Sequence, residues 1–390
     1  MDCASSNKVV SNWVRYRLNP GEKVFLCKRC LTLSTRPRVM YDVHGVCNAC
    51  TWAEVKRTVV DWNKRERELM DLCDRYRRSD GYWDVLVPCS GGKDSAYIAW
   101  KLKYEYGMNP LLVTLRVPFP TENGKHNLEL LVEQGFDHIM VTPNPVVYKR
   151  FMKWAFVNEG RPKMPFEMGI SLVTMFMAVK LGIPFIMYGE EGEEEYGGST
   201  SQIGKTRITR DYLVNYYYNG HDPVEYEQYL DKNDLVWWRL PGEDELREAD
   251  LYPTHWSHFE NWDSLQHYEY IKSKYGFVVP DGPQVGTFTN YAQLDDKIQD
   301  LHAFMMYIKF GFGRAWSDAC IEIRAGRMTR DEGIEMVKHY DGVFPEKYLD
   351  DYLRFYDMTK DEFWEVVDSF RSPDIWSMVD GVWKLNFEVK

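Results

Sequence analysis

Six consecutive residues, Ser90-Gly91-Gly92-Lys93-Asp94-Ser95, bring together two glycines, two hydroxyls, an ammonium and a carboxylate. Glycines let a backbone turn at positive φ and approach a ligand closely. Successive N–H groups then form a concave nest, and a following helix adds the partial positive charge of its N-terminus. Ser90 and Ser95 can donate hydroxyls, Lys93 a point charge, and Asp94 can help place a metal. The chemistry is that of a phosphate or pyrophosphate cradle. The spacing is not GxxxxGK[ST], so the loop is not of the Walker type.

A second set is Cys27-x2-Cys30-x16-Cys47-x2-Cys50, four of the eight cysteines. Two CxxC turns joined by a short hairpin can close a tetrahedral cage of thiolates. Pro37, Asp42 and His44-Gly45 supply turn residues between them. The set predicts a structural zinc ribbon, with an iron–sulfur cluster as the alternative. Cys73, Cys89 and Cys320 have no partner pattern. Asp2 after Met1 excludes Cys3 as a terminal nucleophile, and no GxCxG elbow surrounds any cysteine.

The elements around the loop follow a βαβ rhythm. Trp83–Pro88 reads as a buried strand, Ala96–Tyr106 as a helix, Pro110–Val117 as a strand and Asn123–Gln134 as a helix. His138–Val141 and Pro184–Tyr188 read as strands, with helices over Val146–Val157 and Glu167–Leu181 between them. Such alternation predicts a parallel sheet covered by helices, with ligands beyond the strands' carboxyl ends. Glu190 and Glu191 follow the fourth strand, inside an acidic run that includes Glu193, Glu194 and Glu195. At least three of these five are expected on a solvated loop. After residue 200 the strand signal fades, and Tyr291–Phe310 and Arg330–His339 read as helices. The organisation expected is a ribbon over 1–51, a linker helix over 52–80, the loop-bearing domain over 81–200, and a mainly helical region over 201–390 that completes the site.

SGGKDS after a hydrophobic strand resembles the PP-loop of the N-type ATP pyrophosphatases. Other features narrow the resemblance. They are the ribbon, Tyr188-Gly189-Glu190-Glu191-Gly192 with Tyr196-Gly197-Gly198, Tyr307-Ile308-Lys309-Phe310-Gly311-Phe312-Gly313-Arg314-Ala315, and Ile323-Arg324 with Gly326 and Thr329-Arg330. Together they resemble the N-acetyl sugar amidotransferases of bacterial surface-glycan synthesis, over roughly residues 21–345. The resemblance implies an α/β PP-loop domain of the HUP-like, Rossmann-like kind. It implies ATP and magnesium, with Ser90 to Ser95 around pyrophosphate and adenine bordered by the strand ending near Thr114–Arg116. It implies transfer of AMP to an N-acetyl oxygen and replacement of that oxygen by ammonia, giving an acetamidino sugar for O-antigen or a related glycan. Lys93, Lys309 and Arg314 are the expected cations on the departing pyrophosphate, and Glu190 and Glu194 the expected carboxylates near magnesium. Ammonia is expected from a separate glutaminase pair resembling imidazole-glycerol-phosphate synthase subunits.

The charge is −11 overall but uneven: residues 1–80 carry +6 and the remainder −17. An acidic bulk disfavours a long nucleic-acid footprint. That weighs against the alternative reading, a tRNA-thiolating PP-loop enzyme, which usually also has a catalytic cysteine pair or cluster. The chain starts without a basic, apolar leader, and Ile170–Met187 is interrupted by Lys180, Gly182 and Pro184. A cytoplasmic protein without a membrane span is expected.

Overall fold

A computed structural model describes residues 14–15, 23–201 and 203–390. The lead-in holding Asp2 and Cys3 lies outside the described residues. The ribbon closes through a hairpin in which Asp42 Oδ1 accepts from the N–H groups of His44 and Val46, and Gly45 takes φ +78°. Its second cysteine turn is already the first turn of helix α1 (Asn48–Thr58). Helix α2 (Trp62–Tyr76) follows, capped by Asp61. The predicted single linker helix is therefore two, because the chain breaks at Asp61, whose side chain takes the N–H of Lys64.

The sheet is parallel, of order β3-β2-β1-β4-β5. Its strands are β1 (Val85–Pro88), β2 (Pro110–Leu115), β3 (Asp137–Val141), β4 (Phe185–Tyr188) and β5 (Tyr252–His255). All six residues of β2 are buried, as a strand covered on both faces requires. Edge strand β3 is mostly half-buried or exposed. Helices α3 (Lys93–Tyr104), α4 (Glu122–Glu133), α5 (Pro145–Glu159) and α6 (Met164–Leu181) make the crossovers. Gly160 and Gly182 stop α5 and α6 in the left-handed conformation. The chain runs outward from β1 through β2 to β3, then returns to β4 on the other side of β1. Loops leaving β1 and β4 thus diverge and open a crevice at the switch point.

β5 corrects the expected boundary at residue 200. Its short Tyr-Pro-Thr-His sequence pairs in parallel with β4, Phe185 beside Tyr252 and Tyr188 beside His255. The α/β domain therefore takes a strand from the region expected to be mainly helical. The remaining helices of eight residues or more are α7 (Ser264–Tyr275), α8 (Ile298–Phe310), α9 (Arg314–Ala325), α10 (Arg330–Tyr340), α11 (Leu349–Tyr356) and α12 (Lys360–Ser369), followed by a hairpin of β6 (Trp376–Val379) and β7 (Val382–Leu385). Helix α8 is shorter than the predicted Tyr291–Phe310. Asp296 caps it, accepting from the Ile298 N–H at 3.0 Å, and Tyr291–Lys297 stays irregular.

Three apolar clusters result. On one sheet face α5 and α6 pack with α8, α11 and α12. On the other, α2, α3 and α7 cover the sheet. The third joins the ribbon to α9 and α10, where Trp316 Nε1 donates to the Leu31 carbonyl at 2.6 Å. Helix α6 alone among the described residues is long and apolar enough to cross a membrane. Its buried residues lie in the first cluster, so it is a core helix.

Candidate active site and metal centre

Pro88 ends β1, and after the four residues Cys89–Gly92 α3 begins at Lys93. Gly91 sits at φ +91°, and a Cβ there would lie 2.3 Å from the Gly124 carbonyl oxygen. The loop therefore packs directly on α4, and only glycine allows it. Gly92 is different: its φ is −83°, and an added Cβ would meet only Ser90 Oγ at 3.8 Å. That open side is the hollow of the nest, above the free N–H groups of the first turn of α3. Ser95 Oγ donates to the Gly92 carbonyl at 3.1 Å and contacts Cys89 Sγ at 3.3 Å. In this structure that hydroxyl braces the loop, rather than pointing into the hollow as expected.

The loop forms one end of a cavity of about 380 Å³ at the switch point. The opposite wall is apolar, from Val113, Leu115, Phe166, Ile170 and Met187, and leaves a slot beside the end of β2. Three cations line the cavity: Lys93, Lys163 and Arg314. Lys93 pairs with Asp94 at 2.8 Å, and Arg314 Nε pairs with Asp318 at 2.8 Å. Lys163 donates to Gln299. Asp94, Glu190 and Asp295 are the carboxylates in the lining. Burial opposes charge on Asp94, but Lys93 and the His267 ring, whose Nδ1 lies 2.9 Å away, outweigh it and hold the carboxyl well below its ordinary range. Burial pushes Glu190 up to about 7, and the Asp94 charge adds to the shift. One carboxylate kept ionised beside another driven toward neutrality is an arrangement that a divalent cation would relieve. Asp94, Glu190 and Asp295 offer oxygen donors of the kind that magnesium takes.

Of the predicted residues, Ser90, Lys93, Asp94, Ser95, Glu190 and Arg314 meet in this cavity, with Gly92 at its mouth. Lys309 and Glu194 do not. Lys309 lies in the last turn of α8, donates to the Glu159 carbonyl at 2.6 Å, and lines a different cavity. Burial and the nearby Arg161 push it down to about 8. Glu194 is buried facing Lys56 and Arg65, and burial, with the neighbouring Glu195, pushes it up to about 8.

The acidic run is not a solvated loop. Glu191, Glu194 and Glu195 are buried. Glu191 caps the short helix Gly192–Glu195, taking the Glu194 N–H at 2.7 Å. Glu193 holds Arg38 through both carboxylate oxygens, and Glu195 takes Lys56 Nζ at 2.6 Å and Trp52 Nε1 at 3.0 Å. Two of these acids are ion-paired, Glu193 with Arg38 of the ribbon and Glu195 with Lys56 of α1, while Glu191 is taken up by backbone N–H groups of its own short helix.

Lys163, Asp295, Gln299, Tyr291 and His267 were not read from the sequence. Lys163 follows Arg161-Pro162 at the start of α6, a basic pair at a helix entry that could have signalled it. Tyr291 and Asp295 fall in the irregular stretch mistaken for helix. His267 is buried, stacked on Tyr97 with ring centres 4.1 Å apart.

The four ribbon thiols are buried, and their Sγ atoms all lie within 4.8 Å of one another, with Cys27–Cys50 at 3.9 Å and Cys30–Cys47 at 3.6 Å. A tetrahedral ion with ~2.3 Å bonds to sulfur sets edges of roughly 3.8 Å. The N–H groups of Arg29, Thr32 and Cys47 point at the sulfurs at 3.2–3.4 Å, and Arg324 Nη1 lies 3.9 Å from Cys30 Sγ. Those donors offset the charge of metal-bound thiolates. The four cysteines form a metal-binding set.

Residues 285–390 match the family model described as LPS biosynthesis protein WbpG-like, C-terminal domain. They contain the Lys309–Ala315 and Ile323–Arg330 stretches, so the match supports the resemblance to the N-acetyl sugar amidotransferases. No curated protein matches. Among solved structures, the chain is similar to an NH3-dependent NAD synthetase from Campylobacter jejuni, at 15% identity over 49% of this chain and 92% of that one, TM-score 0.28. It is also similar to the U34-tRNA thiolase NcsA from Methanococcus maripaludis, solved with its 4Fe–4S cluster, at 13% identity over 68% of this chain and 79% of that one, TM-score 0.32. A third is an NMN synthetase from Francisella tularensis, at 15% identity over 58% of this chain and 99% of that one, TM-score 0.26.

The two loop glycines should separate in experiment. Gly91→Ala forces a side chain onto the Gly124 carbonyl at positive φ and should lower the melting temperature by several degrees. Gly92→Val should leave melting intact while abolishing ATP binding measured by calorimetry. Normal ATP affinity in Gly92→Val would place the phosphates elsewhere.

Glu190 gives a pH signature. Its carboxyl titrates near 7 in the folded chain and near ~4.3 when unfolded. Between those values the folded state keeps a proton that the unfolded state has lost, so this contribution to stability is full below ~4.3 and is lost as pH rises through 7. In magnesium-free buffer, the melting temperature of Glu190→Gln relative to the unsubstituted chain should rise between pH 5 and pH 8. A flat difference would mean that Glu190 is already ionised at pH 5.

Proposed function

We propose that the chain is an ATP-dependent amidotransferase that converts an N-acetyl group of a nucleotide-activated bacterial sugar to an acetamidino group. The observation that carries this reading is the complete SGGKDS cradle, facing Lys163, Arg314 and Glu190 across one cavity, in a chain whose residues 285–390 are WbpG-like. An amide carbon resists ammonia because resonance feeds it electrons and oxide is a poor leaving group. Attack of the amide oxygen on the α-phosphorus of ATP forms an O–P bond and releases pyrophosphate. Ammonia then adds to the carbon of the O-adenylyl imidate, the C–O bond breaks, and AMP departs with the former amide oxygen. One proton is lost from the added nitrogen.

In this reading the nest of α3 and Lys93 hold the pyrophosphate portion, while Lys163 and Arg314, which line the same cavity, neutralise it. Asp94 and Glu190 would hold magnesium, which offsets the charge on the triphosphate when bound. His267 and Lys93 orient Asp94. The apolar slot beside β2 takes the adenine. Held in line, the reactants gain roughly 7–11 kcal/mol from positioning alone. The ribbon cysteines would hold one zinc ion, the enzyme would work in the cytoplasm, and a separate glutaminase pair would supply ammonia. The thiolating alternative needs paired cysteines near the loop. Cys73, Cys89 and Cys320 are buried in three separate places, on α2, at the loop and beside the ribbon.

Two measurements test this reading. Purified chain with ATP, magnesium, acetamido sugar and ammonium salt should form amidine, faster as pH rises and more free ammonia is present, and should fail with glutamine as the only nitrogen source. Amidine formed from glutamine by this chain alone would overturn the two-protein scheme. Elemental analysis should find about one zinc per chain, and Cys47→Ser should be insoluble. Iron in place of zinc, or a fully active metal-free preparation, would refute the structural-zinc reading.

A further inference from the structure

A second cavity, of about 260 Å³, lies alongside the first. Helix α8 serves both. It sends Gln299 into the first and His302, Met306 and Lys309 into the second, steps of three and four residues that lie along one face. The turn after β4 does the same, with Glu190 and Tyr196 on one side and Glu193 and Gly197 on the other. The ribbon supplies the far wall through Arg36 and Arg38.

The charges in this second cavity do not balance. Arg36, Arg38, Arg161 and Lys309 line it against Glu167 and Glu193. Arg38 is matched by Glu193, and Arg161 by Glu159 and Glu167. Among the described residues, Arg36 and Lys309 have no carboxylate within ion-pair distance. Lys309 donates to the Glu159 carbonyl and lies over the rings of Phe310 and Phe370, none of which carries a counter-charge. The Arg36 guanidinium lies over the rings of Tyr196 and Phe312, at 5.9 and 5.6 Å from their centres. Both cations are half-buried, and Arg324 stands near Arg36 as a like charge. Partly desolvated cations without counter-charge are costly unless a ligand provides one.

We propose that this cavity is the acceptor subsite, in which ribbon residue Arg36 and Lys309 of α8 bind an oxyanion carried by the sugar, either a ring carboxylate or a phosphate. The proposal rests on the first cavity being the ATP site, since only then does a substrate in the second present its amide across the shared wall. A guanidinium fork grips either oxyanion in two-pronged fashion, and Lys309 adds a point charge. The volume is below the range of drug-sized sites, so it suits one sugar ring rather than a whole nucleotide. The ribbon is then part of substrate recognition as well as a fold element.

The test is binding of small probes to the full chain, by calorimetry or ligand-observed NMR. The probes are galacturonate, N-acetylglucosamine 1-phosphate and neutral N-acetylglucosamine, with ATP affinity measured alongside. At least one acidic sugar should bind about tenfold more tightly than the neutral one, and which one does identifies the carboxylate or the phosphate as the source. Arg36→Ala and Lys309→Gln should each remove that preference while ATP affinity stays within about twofold. Arg36→Lys should restore it only in part. If Arg36→Ala does not fold, Lys309→Gln carries the decision. Equal binding of acidic and neutral sugars, or an unchanged preference in the folded variants, overturns the proposal. Loss of ATP binding by the unsubstituted chain would instead overturn the reading of the first cavity.

Discussion

Everything near the site hangs on the turn that leaves β4, where Glu193 and Glu195 are taken out of water and paired with Arg38 and Lys56. The Lys56–Glu195 pair is shielded on both sides, with side-chain exposures of 10% and 7%. Arg38 meets Glu193 through a bidentate fork. Removing one partner of a pair this buried strands the other without solvent or counter-charge, at about 3–5 kcal/mol. These pairs clamp the ribbon and α1 onto the sheet's carboxyl edge. Glu190, first in the same turn, escapes the clamp and faces the cavity. A shift of the turn would move the binding carboxylate and the ribbon together.

The two cavities share that dependence. One is bounded by Tyr196 and Glu190, the other by Glu193 and Gly197, so their spacing is set by the eight residues Glu190–Gly197. Helix α8 fixes the opposite wall, and Asp296 fixes where α8 begins. Asp94 gains its orientation from His267 on α7, a helix that follows β5. The loop's chemistry is local in sequence, but its geometry is held by segments up to about two hundred residues away.

That division explains what the sequence disclosed. SGGKDS and the cysteine turns were legible because each sets its own local geometry: glycine at positive φ, two sulfurs on one side of a turn. The first four strands were legible as short apolar runs. β5 was not, since Tyr-Pro-Thr-His is four residues long, contains proline and owes its place to pairing with β4. The acidic run was misread because five glutamates in six residues look solvated until Arg38 and Lys56 arrive from a distant segment. Lys309 was misplaced because the following Gly311-Phe312-Gly313 stretch redirects the chain, so Arg314 and Lys309 point into different cavities. Lys163, Asp295 and His267 reach the site only through tertiary packing, which no spacing encodes.

The third apolar cluster has a bearing on the order in which the chain becomes structured during synthesis. Leu31 and Leu33 of the ribbon are buried against Trp316, Ala319, Ile334 and Val337. An N-terminal cysteine cage can capture its ion early, but its apolar face has no cover until some three hundred further residues have left the ribosome. The sheet, meanwhile, lacks β5 until residue 255 emerges. The nascent chain therefore carries an uncovered ribbon through most of translation, an aggregation-prone interval of the kind that long-range topologies impose. A metal ion held early by the four cysteines would stiffen that ribbon before its apolar cover arrives.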